Sequence, residues 1–292
     1  MTGGTAVVVG FGATGRAVTA HLVARGWRVV VVDDAADGAA GAAAGGAGDD
    51  ATAREVAAAG ATLRAVDVVP SADLVVPSPG VPPRHPVHAL AARAGVPVVS
   101  EVELAWRAAG GRPMVAVTGT NGKTTVTTLV AAMLVESGRS AIAAGNIGLP
   151  LVTAVDTAVD SGVEVVVAEV SSFQLQHTDR FRPDVAVWLN LAPDHLDWHP
   201  DLASYAAAKA RVWANQGPDD VAVANAEDAV VAGAAGRAPG RVVTFGLESG
   251  DWRRVGDTLC GPGGAVMPVD ELPRAFPHDV ANVLAAMAAA TA

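Results

Sequence analysis

Short, valine-rich apolar runs alternate along the chain with longer segments that suit helices. Thr5-Ala-Val-Val-Val-Gly10 is apolar throughout and ends in glycine, which predicts a strand buried on both faces of a parallel sheet. A helix is expected over 14–25, stopped by Gly26, and a second strand over Arg28–Val32, ending at Asp33 and Asp34. The Ala/Gly/Asp stretch 35–50 predicts a surface loop, although its alanines would also suit a short helix. Further on, the pattern predicts a helix over 52–59 and a strand over 73–76, then the turn Pro77-Ser-Pro-Gly-Val-Pro-Pro83. A helix over 88–94 and an extended 96–99 follow, and Ser100-Glu-Val-Glu103 reads as a capping box opening a helix to about Ala108.

Ala109-Gly-Gly-Arg-Pro113 reads as a linker, after which the strand–helix alternation restarts. Strands are expected over 114–118, 163–169, 184–190, 221–224 and 241–245. Helices are expected over 123–136 and 203–214, with a last one inside 272–290. Such alternation predicts an α/β fold with mainly parallel sheets in two domains, 1–109 and 110–292. The length of 292 residues agrees with two domains.

Composition sharpens this picture. Hydrophobic residues make up 51% and charged residues 17%, enough for packed cores and against general disorder. The net charge of −10 disfavours nucleic acid and anionic lipid as partners. With one cysteine no internal disulfide forms, which suits a reducing compartment. No signal peptide and no membrane span are read. Of the 20 Lys and Arg residues only Lys123 and Lys209 are lysine. Either two lysines survive by chance, or both sites need a point charge or a deprotonatable amine that arginine cannot supply.

Five constellations carry candidate chemistry. Gly10-Phe-Gly-Ala-Thr-Gly15, between strand and helix with Asp33 ending the next strand, suits a nucleotide phosphate at a helix N-terminus. Its glycines would also serve simply to pack helix on strand. Taken alone, the motif suits an NAD(P)-dependent oxidoreductase too, a reading that leaves the next motif unexplained. Val117-Thr-Gly-Thr-Asn-Gly-Lys-Thr-Thr125 is a compact phosphate loop, with Val117 where a strict Walker A has glycine. Here Lys123 would reach the β/γ oxygens and Thr124 would ligate Mg2+. Glu169 ends an apolar strand, where a carboxylate suits Mg2+ or water. Asp194, His195 and Asp197 follow another strand and include metal-capable groups. Tyr205 and Lys209, four apart, share one face of a helix.

Together these motifs resemble the Mur ligase family, the ATP-dependent amide-forming ligases of peptidoglycan precursor synthesis. The Gly119–Thr125 loop is similar to the family's ATP signature, shared with folylpolyglutamate synthases. Glu169-Val-Ser-Ser-Phe-Gln-Leu175, Gly145-Asn-Ile-Gly148 and Ser78-Pro-Gly80 resemble its D-glutamate-adding branch.

The resemblance implies a Rossmann-like UDP-binding domain followed by a central P-loop ATPase-type domain. It also implies a third, C-terminal domain, expected to begin about where these 292 residues end, so that a truncated chain is expected. The activity implied is addition of D-glutamate to UDP-N-acetylmuramoyl-L-alanine through an acyl phosphate, in a cytoplasmic monomer. A truncated fragment that binds nucleotide without turnover is the alternative. On the family's pattern Gly119, Thr120, Asn121, Gly122, Lys123, Thr124, Thr125 and Asn282 would bind ATP. Ala13, Thr14, Asp33, Gly80 and Asn146 would contact the uridine substrate. Thr124, Glu169, His195 and Lys209, the last as a CO2-derived carbamate, would hold two Mg2+ ions. Lys123, Lys209 and His195 would be catalytic. Asp34-Ala35 departs from the family's Thr-Arg, and Asp279 stands where many members have Asn.

Overall fold

A computed structural model describes residues 3–33, 47–195 and 197–292. The 34–46 stretch, with Asp34-Ala35 and most of the expected loop, lies outside the described residues. The chain divides into two compact units, 1–105 with 177–179, and 106–176 with 180–292.

In the first unit, β1 (Thr5–Val9), β2 (Arg28–Val32), β3 (Thr62–Leu63) and β4 (Leu74–Pro77) form a sheet in the order β3-β2-β1-β4. Its pairings are parallel. The valines of β1 and β2 are buried on both faces, which is why they run continuously rather than alternate. Helices α1 (Ala13–Ala24), α2 (Ala47–Ala58), α3 (Pro86–Ala94) and α4 (Glu101–Ala108), with a 3-10 helix over Val66–Ser71, complete the elements up to the second unit. α2 begins five residues before the expected start at Thr52. The residues expected to be extended at 96–99 form only an isolated bridge, Val75 to Val98. Ser100 Oγ accepts from Glu103 N at 3.4 Å, and the Glu103 carboxylate accepts from Asp179 N at 2.9 Å.

In the second unit β5 (Met114–Thr118) runs into α5 (Lys123–Glu136), followed by β6 (Ala141–Gly145), α6 (Leu151–Ser161), β7 (Val165–Glu169) and α7 (Ser172–Leu175). Then come β8 (Val185–Trp188), α8 (Leu202–Ala210), β9 (Val221–Asn225), α9 (Ala229–Ala235) and β10 (Arg241–Phe245). The strands make a parallel sheet in the order β10-β9-β8-β5-β7-β6. Strands β11 (Arg253–Val255), β12 (Thr258–Gly261) and β13 (Gly264–Pro268) form a separate antiparallel sheet. The closing helix α10 (Pro277–Ala290) packs on α5, with Val280 and Leu284 buried alongside Val126 and Val130.

Several features of this unit escaped the sequence pattern. β6 is Ala-Ile-Ala-Ala-Gly, with one β-branched residue, so nothing in its composition favours a strand. α6, α9 and the small antiparallel sheet were not expected either. β11 and β13 are largely exposed and so carry no apolar alternation to read. No described helix is long and apolar enough to cross a membrane.

The topology places the sites. In both sheets the chain leaves a central strand toward one side and later returns to the other. A crevice therefore opens beyond the C-terminal ends of β1 and β4, and another beyond those of β5 and β8.

Candidate functional site

The glycine-rich turn of the first unit connects β1 to α1. Gly15 lies so close to the preceding turn that a Cβ on it would stand 1.9 Å from Gly10 O, which explains glycine at this position. Asp33, at the end of β2, accepts from Phe11 N at 2.6 Å, and Ser78, after β4, donates to Gly10 O at 3.1 Å. Ala13 and Thr14 open α1, and Gly80 is exposed in the turn after β4. The structure thus brings Ala13, Thr14, Asp33 and Gly80 to one sheet edge of this unit. Asn146 belongs to the second unit.

There, residues 119–122 link β5 to α5, with Gly122 as the N-cap. The first-turn N–H groups of a helix lack intrahelical partners and carry partial positive charge, a setting for an anion. Lys123 Nζ folds over the loop and donates to Gly119 O at 3.1 Å and Thr120 O at 2.9 Å. Burial lowers the Lys123 pKa, against the opposing pull of Glu169 and Asp194. Thr125 is exposed on the first turn of α5. Asn282, on α10, lies against the loop: its Oδ1 is 2.5 Å from where a Cβ on Gly122 would stand.

Glu169 is 2% exposed at the end of β7. Its Oε2 accepts from Thr124 Oγ1 at 2.7 Å, and its Oε1 from Asn146 Nδ2 at 3.0 Å. β6 ends beside Glu169, since Gly145 pairs with it across the sheet, and this delivers Asn146 to the carboxylate.

Lys209 is 1% exposed and donates to Gly119 O at 2.7 Å, so both lysines of the chain converge on one carbonyl oxygen. Its Nζ also sits 4.6 Å from the centroid of the Tyr205 ring. Burial foremost, then the Lys123 charge, lowers its pKa to about 7, with Asp194 pulling the other way. The ammonium form therefore destabilises the fold. In the window from about 7 up to the usual lysine value the unfolded chain binds more protons than the folded one, so stability contributed by this site rises with pH. Lys209→Met is accordingly expected to gain most over the parent near pH 6.5 and to lose most of that advantage by pH 9.5. Thermal melts of the 292-residue chain at both pH values check this; a pH-independent difference would mean that Lys209 titrates normally.

His195 adopts a left-handed backbone with φ of 52°, uncommon for a residue with a side chain. Its ring packs edge-on to Phe173 at 4.8 Å, and its Nε2 lies 3.5 Å from Asp194 Oδ2. Tyr205 takes the Lys209 ammonium on its ring and lies 6.2 Å from the His195 ring, centroid to centroid. His199, which was not singled out in the sequence, is buried, with Nε2 3.0 Å from Ser172 Oγ. Burial, then Lys209 and His195, keep it below the usual histidine range. Asp279 is buried against Arg274 at 3.0 Å.

As a divalent-cation site, Thr124 Oγ1 beside Glu169 Oε2 offers a pair of hard oxygen donors that fits Mg2+. Among the described residues no three His, Cys, Asp or Glu side chains gather into a metal group. A second ion at His195 and Lys209 would depend on Lys209 acquiring a carboxylate, because an amine bonded to Gly119 O offers no oxygen donor.

Residues 4–100 match the family model "Mur ligase MurD-like, N-terminal domain", and residues 117–290 match "Mur ligase middle domain". The UDP-N-acetylmuramoylalanine–D-glutamate ligase of Frankia casuarinae is 45% identical over 98% of this chain and 60% of its own length. The ligase of the same name from Pelotomaculum thermopropionicum is 42% identical over 98% of this chain and 63% of its own. The chain thus spans about 60% of the length of these relatives. A solved UDP-N-acetylmuramate:L-alanyl-gamma-D-glutamyl-meso-diaminopimelate ligase from Neisseria shares the fold, with a TM-score of 0.61 at 20% identity, covering 99% of this chain and 93% of that one.

Proposed function

The chain belongs to the Mur ligase family, and we propose that it is the nucleotide-binding part of an ATP-dependent ligase that joins D-glutamate to UDP-N-acetylmuramoyl-L-alanine. The observation that carries this reading is the convergence of Lys123, Lys209, Thr124 and Glu169 around the Gly119–Thr125 loop, beyond the C-terminal ends of β5 and β7.

ATP would lie on that loop, with its phosphates toward the first turn of α5 and Lys123, and Asn282 beside Gly122. The substrate carboxylate attacks the γ-phosphorus, ADP leaves, and the amine of D-glutamate then displaces phosphate from the acyl phosphate. Two anions must approach each other in the first step, so their repulsion has to be offset by fixed positive charge. Lys123 supplies part of it. Mg2+, held by Thr124 and Glu169, would supply Lewis-acid charge neutralisation on the phosphate oxygens. Asn146 orients the Glu169 carboxylate through Oε1 and leaves Oε2 to Thr124 and the ion.

Lys209 suits the carbamate role. With its pKa near 7, much of the amine is neutral at physiological pH, and the neutral form adds CO2 to give a carbamate anion and a proton. That anion, with His195, would complete a second Mg2+ site. Ala13, Thr14, Asp33 and Gly80 would contact the uridine nucleotide in the first unit, and on the family's pattern Asn146 would also contact the substrate. The enzyme would be a cytoplasmic monomer, with neither nucleic acid nor membrane as partner.

For the 292-residue chain by itself, binding without turnover is the second reading, favoured by the share of its relatives that it spans. Two measurements separate them. Calorimetry on this chain should detect Mg-ATP and UDP-N-acetylmuramoyl-L-alanine. The full-length gene product should release phosphate only when both that substrate and D-glutamate are present; release independent of either would refute the ligase assignment.

A further inference from the structure

We propose that Asn190 is a positioning residue for nucleotide binding: its side-chain amide pins the backbone of the phosphate loop from the neighbouring strand. The inference rests on the reading of that loop as the ATP site, and it concerns a residue outside the motif.

Asn190 follows β8, which pairs directly with β5. Its Oδ1 accepts from Thr120 N at 3.0 Å and Asn121 N at 2.9 Å, and its Nδ2 donates to Asn121 O at 3.1 Å. The amide orientation follows from these partners, since two donors face the oxygen and a carbonyl faces the nitrogen. Thr120 N is also shared with the Asn190 carbonyl at 3.1 Å. One side chain thus occupies three backbone groups at the tip of a four-residue turn. Two loop N–H groups are spent on this pin, so phosphate recognition falls to the start of α5 and to Lys123. With the peptides so oriented, the carbonyls of Gly119 and Thr120 point at the lysine ammonium groups.

The pin is itself held on every side. Trp188 Nε1 donates to Asn190 O at 3.2 Å, Asn225 Nδ2 donates to Leu189 O at 2.9 Å, and Leu191 N donates to Asp228 Oδ2 at 2.7 Å. Thr120 Oγ1 in turn accepts from Ala192 N at 3.0 Å, which laces the phosphate loop to the segment leading to His195. A rigid mount of this kind lowers the ordering cost when an anion binds.

If Asn190 acts through the phosphate loop, its removal must weaken ligands in proportion to their phosphates. Asn190→Ala should lower ATP affinity more than tenfold in calorimetry on the 292-residue chain, and AMP affinity less than twofold. Asn190→Asp keeps the acceptor, loses the donor and adds a negative charge beside the loop. It should show the same selective loss, and it serves if the alanine variant does not fold. Equal losses for ATP and AMP, or unchanged ATP affinity in a folded variant, would overturn the proposal. If the parent itself binds ATP no better than Lys123→Ala, the ATP reading falls instead, and the two failures are told apart.

Discussion

Replacing Lys209 with alanine in the full-length gene product is expected to lower turnover about 1,000-fold, the order of effect seen when a charge is removed from a phosphoryl-transfer site. Binding of UDP-N-acetylmuramoyl-L-alanine should stay nearly intact. Lys209→Arg should be as inactive as the alanine variant, because a guanidinium stays protonated and forms no carbamate. The parent should carry the added mass of one CO2 under mild native conditions. Its turnover should fall as pH drops through about 7, where the amine becomes protonated and the carbamate is lost. Added bicarbonate should raise turnover on the acid side. The pH dependence follows from burial and from Lys123, the two causes of the lowered value. Parental activity in Lys209→Ala would sink the assignment.

Gly145→Ala is expected to be the costliest small substitution in the second unit. Gly145 has φ of +105°, and a Cβ there would stand 2.3 Å from Glu169 O, a backbone atom of the paired strand that cannot move aside cheaply. Backbone strain of ~1–3 kcal/mol adds to overlap of similar size, so a loss of roughly 3 kcal/mol or more is expected in urea unfolding. The displaced strand end also carries Asn146 away from Glu169, so Mg-ATP affinity should fall with stability. Gly148→Ala is the control. It too has a positive φ, +50°, but nothing lies within 4 Å of its Cβ position. Its cost should stay near 1 kcal/mol, with nucleotide binding unchanged. Equal costs at the two positions would show that the overlap is relieved by a small shift of β6.

Much of this site was legible without coordinates. The valine runs before Gly10 and Gly119 located β1 and β5, and the glycine patterns after them located both phosphate-type turns. The scarcity of lysine singled out the two residues that meet on Gly119 O. What stayed hidden has a common cause. β6 is built of alanine and glycine, and its strand conformation comes from pairing with β7 rather than from its own side chains. Asn190 closes the strand expected over 184–190, yet its side-chain partners lie 69 and 70 positions earlier in the chain.

The sequence by itself determined which groups were available: two lysines among arginines, a glycine-rich turn at each of two strand ends, and a carboxylate closing an apolar strand. Those are local properties, set by side-chain chemistry and short-range spacing. Only the tertiary structure decided how the groups are used. It gave Lys209 a titration near neutrality, divided Glu169 between Thr124 and Asn146, and tied the phosphate loop to Asn190. Each of these depends on burial or on a hydrogen bond across neighbouring strands, and neither exists until residues far apart in the chain are packed together.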